Sequence, residues 1–296
     1  MTTKMVSSPS SYSISLPFAN IELIEPWNDE ELMSFLLYDI KRRHTVTRAA
    51  HQRYTNIIRN FSPLTPFCFP TTLKRLEKVT GIQHERYDCC INSCMAFTES
   101  QSDHCLVCLS SRFDKSGKPV KTMDYIPLIH QLRLQYACAS RSDKFTSYPT
   151  KCIRNHNTSG IITDIWNGKL MGRLREKGLF SNTTDLALSF HTDGVKLFKT
   201  RSAFHIWPLL IIINNLPPEE RFKRENLLLL GLIPGPQQPK DLNSFLRPLV
   251  NELKMLQTGI PRVYNGATKD YFVLHAYVCM IGLSTPLSRD LTEANY

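Results

Sequence analysis

No apolar run in this chain approaches the about 18 residues that a membrane-spanning helix requires. The longest greasy stretch, Trp207 to Ile213, gives way at once to Asn214 and Asn215, so no membrane partner is expected. The N-terminus, Met-Thr-Thr-Lys followed by Ser-Pro-Ser-Ser, has neither the apolar centre nor the small-residue cleavage site of a secretory signal. An intracellular location, nuclear or cytoplasmic, is the expectation. Acidic residues are outnumbered 26 to 36 by lysine and arginine. The nine cysteines are an odd number in a chain without an export signal, which argues against a disulfide framework and for reduced thiols or a metal site.

What is present suffices for a folded protein. The 296 residues make room for one large or two ordinary domains, and 42% hydrophobic residues can build a core. The formal charge of +10 attracts polyanions such as nucleic acid, although a solvated basic face has the same composition.

Residues 1–28 are rich in Ser, Pro and Thr and read as a flexible leader. Residues 29–86 form a helical region: Leu32, Phe35, Leu36 and Ile40 recur at helical spacing, Val46 to Ile58 continues, Pro63 and Pro66 interrupt, and a short helix spans Thr72 to Val79. Residues 87–113 hold clustered cysteines. In residues 114–180 a helix is expected over Tyr125 to Ala139, and the polar remainder reads as loops.

From residue 181 onward strand patterns appear. Leu186, Leu188 and Phe190 alternate with smaller or polar residues up to Asp193-Gly194, a hairpin signal. The next strand is either Val195 to Phe198 or Trp207 to Ile213, and a third is Asn226 to Ile233. Phe245 to Leu256 is an amphipathic helix with Asp241 or Asn243 as cap, and Phe272 to Ile281 reads as one strand buried on both faces. The fold class is mixed α/β, and this order opens an RNase H-like sheet among other α/β folds.

Cys90 and Cys94 are separated by three residues, Cys105 and Cys108 by two, and ten residues lie between the pairs. Two short-spaced thiolate pairs can close a tetrahedron around a structural zinc ion. Cys89 could stand in for Cys90, His104 could substitute for Cys105, and a cluster of buried thiols is the plain alternative. Cys68, Cys138, Cys152 and Cys279 are scattered and read as core residues. Asp193 ends a strand, where a turn aspartate is the plain reading.

Tyr87-Asp88-Cys89-Cys90 to Cys94, Cys105 to Cys108 and Tyr125-Ile126-Pro127-Leu128 together resemble the segment preceding the catalytic domain of CACTA-type (En/Spm) transposases, which have many fungal members. The resemblance continues through Asp185 to Gly194, Trp207-Pro208-Leu209, Asn215-Leu216-Pro217-Pro218-Glu219, Gly231 to Pro236 and Ser244-Phe245-Leu246, covering about residues 85 to 286. It implies an RNase H-like core in which three carboxylates hold two magnesium or manganese ions for phosphoryl transfer. It makes Asp193 the first carboxylate and transposon-end DNA the partner, with self-association expected as well.

The second carboxylate is due just after the buried strand, where Ile281-Gly282-Leu283-Ser284-Thr285-Pro286 puts Ser284 in its place. A neutral hydroxyl is a poor ligand for a hard dication. The third would come from a later helix, so a truncated, catalytically silent copy is expected. The other reading is a repurposed zinc-containing module that binds DNA or protein without catalysis, with Arg112 to Lys121 and Arg221 to Arg224 as phosphate contacts.

Overall fold

Helix-start residues appear where the backbone needs them. The computed structural model describes residues 28–99, 102–196 and 205–283; the leader up to residue 27, Ser284 and the tail after it lie outside these. Helix α1 (Asp29–Arg43) begins at Asn28, whose side chain accepts from the Glu31 amide, and places acids in its first turn and bases in its last, as the helix dipole favours. Thr47 caps α2 (Arg48–Phe61), and α3 (Phe69–Thr80) stops at Gly81 with φ 66°. Buried Glu31 pairs with Arg75 across α1 and α3.

Strand β1 (Glu85–Asp88) enters the cysteine segment and β2 (Thr122–Tyr125) leaves it. Then come α4 (Leu128–Ala137), α5 (Ala139–Ser159), a 3₁₀ turn at Ile165–Asn167 and α6 (Lys169–Glu176). Strands β3 (Leu186–Thr192), β4 (Val195–Lys196) and β5 (His205–Ile213), the short α7 (Pro218–Arg221) and β6 (Leu227–Pro234) follow. The described chain ends with α8 (Leu242–Thr258), β7 (Ile260–Asn265), β8 (Asp270–Leu274) and β9 (Ala276–Leu283).

The main sheet runs β1-β2-β6-β5-β3-β9, with β4 paired to the start of β5 and β7-β8 a separate hairpin. Neighbours are antiparallel except β3 and β9, whose parallel register matches Thr192 with Leu283. A parallel pair requires a crossover, and α8 lies within it. Leu186, Leu188 and Phe190 face a core shared with Tyr125, Leu128, Phe245 and Leu249, whereas Ala187 packs on the opposite face with Trp166, Met171 and Phe180.

Several expectations are corrected. The stretch after residue 138 is the 21-residue α5, followed by α6, not loop. Tyr125 belongs to β2, and the helix starts at Leu128 because Pro127 occupies the N-cap. Of the two candidates for the second strand, Trp207 to Ile213 lies in β5, and the described part of Val195 to Phe198 is β4, which pairs with the start of β5; Leu197 and Phe198 lie outside the described residues. Phe272 to Ile281 is two strands in two sheets, divided at His275, and among the described residues β9 is an edge strand, with Met280 41% and Ile281 58% exposed.

Buried polar groups join the layers. Arg221 donates to both Asp164 oxygens at 2.8 Å and to the Asn214 and Leu216 carbonyls. Helix α4 has no side-chain cap of its own, so Glu252 of α8 supplies one, accepting from the Leu128 amide at 2.7 Å, the Ile129 amide at 2.8 Å and the Tyr125 hydroxyl at 2.5 Å. A carboxylate is stabilised there by the helix dipole.

Candidate metal centre

Two tight turns build the cysteine site in the same way. The Cys90 amide donates to the Met95 carbonyl and the Cys105 amide to the Ser110 carbonyl, each at 2.9 Å and each closing a loop around its cysteine pair. Ser93 and Leu109, at φ 61° and 59°, take the left-handed conformation that these turns demand. Backbone amides of Asn92 and Val107 point at the Cys90 and Cys105 sulfurs, each at 3.4 Å. Such bonds stabilise thiolate.

The sulfurs of Cys90, Cys94, Cys105 and Cys108 all lie within 4.8 Å of one another. Tetrahedral zinc with bonds of about 2.3 Å sets sulfurs about 3.8 Å apart, so the cluster can hold a metal ion such as zinc. Burial and the neighbouring thiols push Cys94 up to about 12, while the hydroxyl and amide of Ser110 draw Cys108 down to about 5. Metal binding therefore displaces a proton from Cys94.

Cys89 faces away from the cluster. It bridges to Ala96 and sits 1% exposed in the main core, where burial raises its thiol to about 12. His104 is exposed and bridges to Ser111, outside the sulfur cluster. Of the scattered cysteines, Cys152 is buried and Cys68, Cys138 and Cys279 are half-buried.

The site is bonded to the sheet. The Cys94 carbonyl accepts from the amides of Lys240 at 3.0 Å and Asp241 at 2.8 Å, and Asp241 caps α8. Ser93 donates to the carbonyls of Pro234 and Gly235, and Lys121 reaches the Ile91 carbonyl, the Ser93 hydroxyl and the Gly235 carbonyl. Arg112 pairs with Asp88 and stacks over Phe97 and Phe113.

Asp193 follows β3 and is exposed, its carboxylate accepting from the Gly194 amide at 2.7 Å. The parallel register brings the carboxyl end of β9 beside that end of β3. Gly282 makes that approach close, since a Cβ there would lie 2.3 Å from His191 Nδ1; on the other side, a Cβ on Gly194 would lie 2.9 Å from Trp207 Nε1 of β5. Gly282, His191 and Trp207 are thus neighbours of the Asp193 turn, and the Asp-Gly and Ile-Gly pairs are the only sequence signal of this. Among the described residues, the four cysteines are the one group of three or more metal-ligand side chains that gathers.

Residues 169–286 match the model of transposase family tnp2. The matched segment begins at α6 and takes in β3, β5, β6, α8 and β9, the elements that frame Asp193. The cysteine site precedes the tnp2 segment but hydrogen-bonds into it at Pro234, Gly235, Lys240 and Asp241. No curated protein matches the chain. Among the described residues no helix is long and apolar enough to cross a membrane.

Proposed function

We propose that this protein is transposon-derived, a relative of cut-and-paste DNA transposases of CACTA (En/Spm) type, fungal in form, and that it does not itself cleave DNA. The tnp2 match over residues 169–286 carries the reading. Antiparallel β6, β5 and β3, a crossover through α8 and the parallel β9 support an RNase H-like domain. In this reading Asp193 is the first metal-binding carboxylate, and Ser284 stands where the second belongs.

Among the described residues, the side chains around Asp193 do not fit a pair of magnesium or manganese ions. Asp193 is exposed, and no second and third ligand gather with it among the described residues. No catalytic step is derived through such ions. Cys90, Cys94, Cys105 and Cys108 hold a structural zinc ion: four buried or half-buried sulfurs leave no position for a substrate. The net charge of +10 supports transposon-end DNA as partner, within an intracellular, nuclear or cytoplasmic, setting; self-association belongs to the same reading.

Purified protein with labelled transposon-end DNA and manganese tests the reading. Strand cleavage no greater than that of Asp193→Ala is expected, together with DNA binding that weakens as salt rises. Cleavage lost in Asp193→Ala would overturn the catalytic silence while keeping the relationship. Absence of DNA binding would favour the repurposed-module reading with a protein partner, and salt-insensitive binding would argue against phosphate contacts.

A further inference from the structure

The helical bundle carries a cationic pocket that the transposase reading does not use. An open cavity of about 290 Å³ lies at the turn between α1 and α2, between Tyr38, Lys41, Arg42 and Phe69 on the bundle and Arg224 from the turn before β6. Its lining contains no acidic side chain. Phe69 gathers charge here, with Lys41 Nζ 5.1 Å and Arg48 Cζ 5.2 Å from its ring centre. Among the described residues Lys41, Arg48 and Arg224 make no ion pair, and Arg42 shares Asp39 with Arg43.

Cations from two separate parts of the chain are thus held together with one shared carboxylate between them. A field of one sign at this opening attracts an anion. His51, 3% exposed, stands edge-on to Phe69 at 5.7 Å with neither ring nitrogen hydrogen-bonded. Burial and the nearby Lys41 lower its proton affinity, so it stays neutral and adds no charge. The turn joins the C-terminal end of α1 to the N-terminal end of α2. Their dipoles oppose one another, which leaves the side chains to supply the field.

The geometry points to a phosphomonoester site in which Lys41, Arg42 and Arg224 hold a terminal phosphate and the Tyr38 hydroxyl is a neutral donor. A monoester carries about −1.5 to −2 charges at neutral pH and three strong acceptor oxygens, which suits three cations better than the single charge of a diester. The cavity lies just below the roughly 300–1,000 Å³ of small-molecule sites. It admits a mononucleotide or the 5′-phosphorylated end of a strand, not a duplex. The inference stands apart from the transposase reading, because its readout is binding of the phosphate and not cleavage.

Titration calorimetry of the full chain with inorganic phosphate, dAMP, and one oligonucleotide with and without a 5′-phosphate tests it. Saturable binding is expected, weakened at least fivefold by Arg224→Ala and by Lys41→Ala but not by Lys254→Ala, an exposed lysine on α8, with unchanged thermal melting of all three variants. If a variant melts early, Phe69→Leu and Arg224→Lys serve in its place. Binding of dAMP identifies a free nucleotide as source; preference for the 5′-phosphorylated strand without dAMP binding identifies a strand end. No binding of any probe at millimolar concentration overturns the site. So do equal binding of the two oligonucleotides without dAMP binding, and equal loss in Lys254→Ala.

Discussion

The Asn215 side-chain amide donates at 3.0 Å to the Phe145 carbonyl, the group that Pro149 leaves without a helical partner inside α5. Proline lacks the amide that would reach four residues back, so an interior proline ordinarily breaks a helix. Asn215 also donates to the Asp185 carbonyl and accepts from the Ala187 amide, so both its nitrogen's hydrogens and its oxygen are engaged at 0% exposure. Asn215→Ala leaves two carbonyls and one amide buried and unpaired. At about 1–3 kcal/mol for each such group, a loss of at least about 3 kcal/mol is expected. Urea unfolding measures it; a loss under about 1 kcal/mol would show that water replaces the side chain.

The same device recurs at α8. Pro248 frees the Ser244 carbonyl, and the Thr98 hydroxyl donates to it at 2.9 Å from the cysteine segment. Thr98→Val keeps the shape and removes the donor, so a cost of about 1 kcal/mol is expected. Thr98→Ser should restore most of it. Equal stability of the Val and wild-type proteins would remove the hydroxyl from the account.

The two sides of the cysteine segment separate the metal ligands from the core thiol. Metal analysis of purified protein is expected to give one zinc per chain, lost in Cys90→Ser, Cys94→Ser, Cys105→Ser and Cys108→Ser. It is expected to be retained in Cys89→Ala and His104→Ala. Because Cys94 carries a proton near neutral pH when metal-free, zinc affinity should rise with pH. Loss of zinc in Cys89→Ala with Cys90→Ser still loaded would reverse the assignment.

His51 gives stability a definite pH dependence. Burial, then Lys41, hold its folded pKa below the usual 6.5, so the unfolded chain binds more protons as pH falls below that value. Its favourable contribution is present above pH about 6.5 and is lost on acidification toward the folded pKa. Urea midpoints at pH 7.5, 6.5 and 5.5 should fall more steeply in wild type than in His51→Phe. His191, lowered by burial as well, leaves a residual slope in the variant. Identical slopes would assign the acid sensitivity to other groups.

Features whose causes are local were legible in the sequence. The Leu186 to Phe190 alternation, the Asp193-Gly194 turn and the Asp241 cap each lie within a few residues of what they determine. Helix α5 was not legible, because it is polar, contains Pro149, and draws support from Asn215 far along the chain. The break at His275 was hidden for a similar reason. Leu274 pairs with Ile260 and Ala276 with Leu186, so the change of partner is a long-range fact inside an unbroken apolar run. Spacing left Cys89 and Cys90 equivalent, and only the opposite facing of adjacent residues on extended backbone divides them. The four-cysteine cluster was readable as a motif, but its attachment through Lys240 and Asp241 was not.

The contact of His191 with Gly282 fixes how near β9 comes to β3 beside Asp193. A methyl group on Gly282 would lie 2.3 Å from the imidazole Nδ1, far inside van der Waals contact, and His191 is half-buried within the strand pair. Gly282→Ala must displace the ring or move the strand, and overpacking of this kind costs about 1–3 kcal/mol. If the ring is the obstacle, His191→Ala relieves the clash. The double variant should then be less destabilised than the two single changes combined, by more than about 0.5 kcal/mol. Strict additivity in a double-mutant cycle would mean that the strands do not meet at this pair, and the placement of the β9 end beside Asp193 would lose its support.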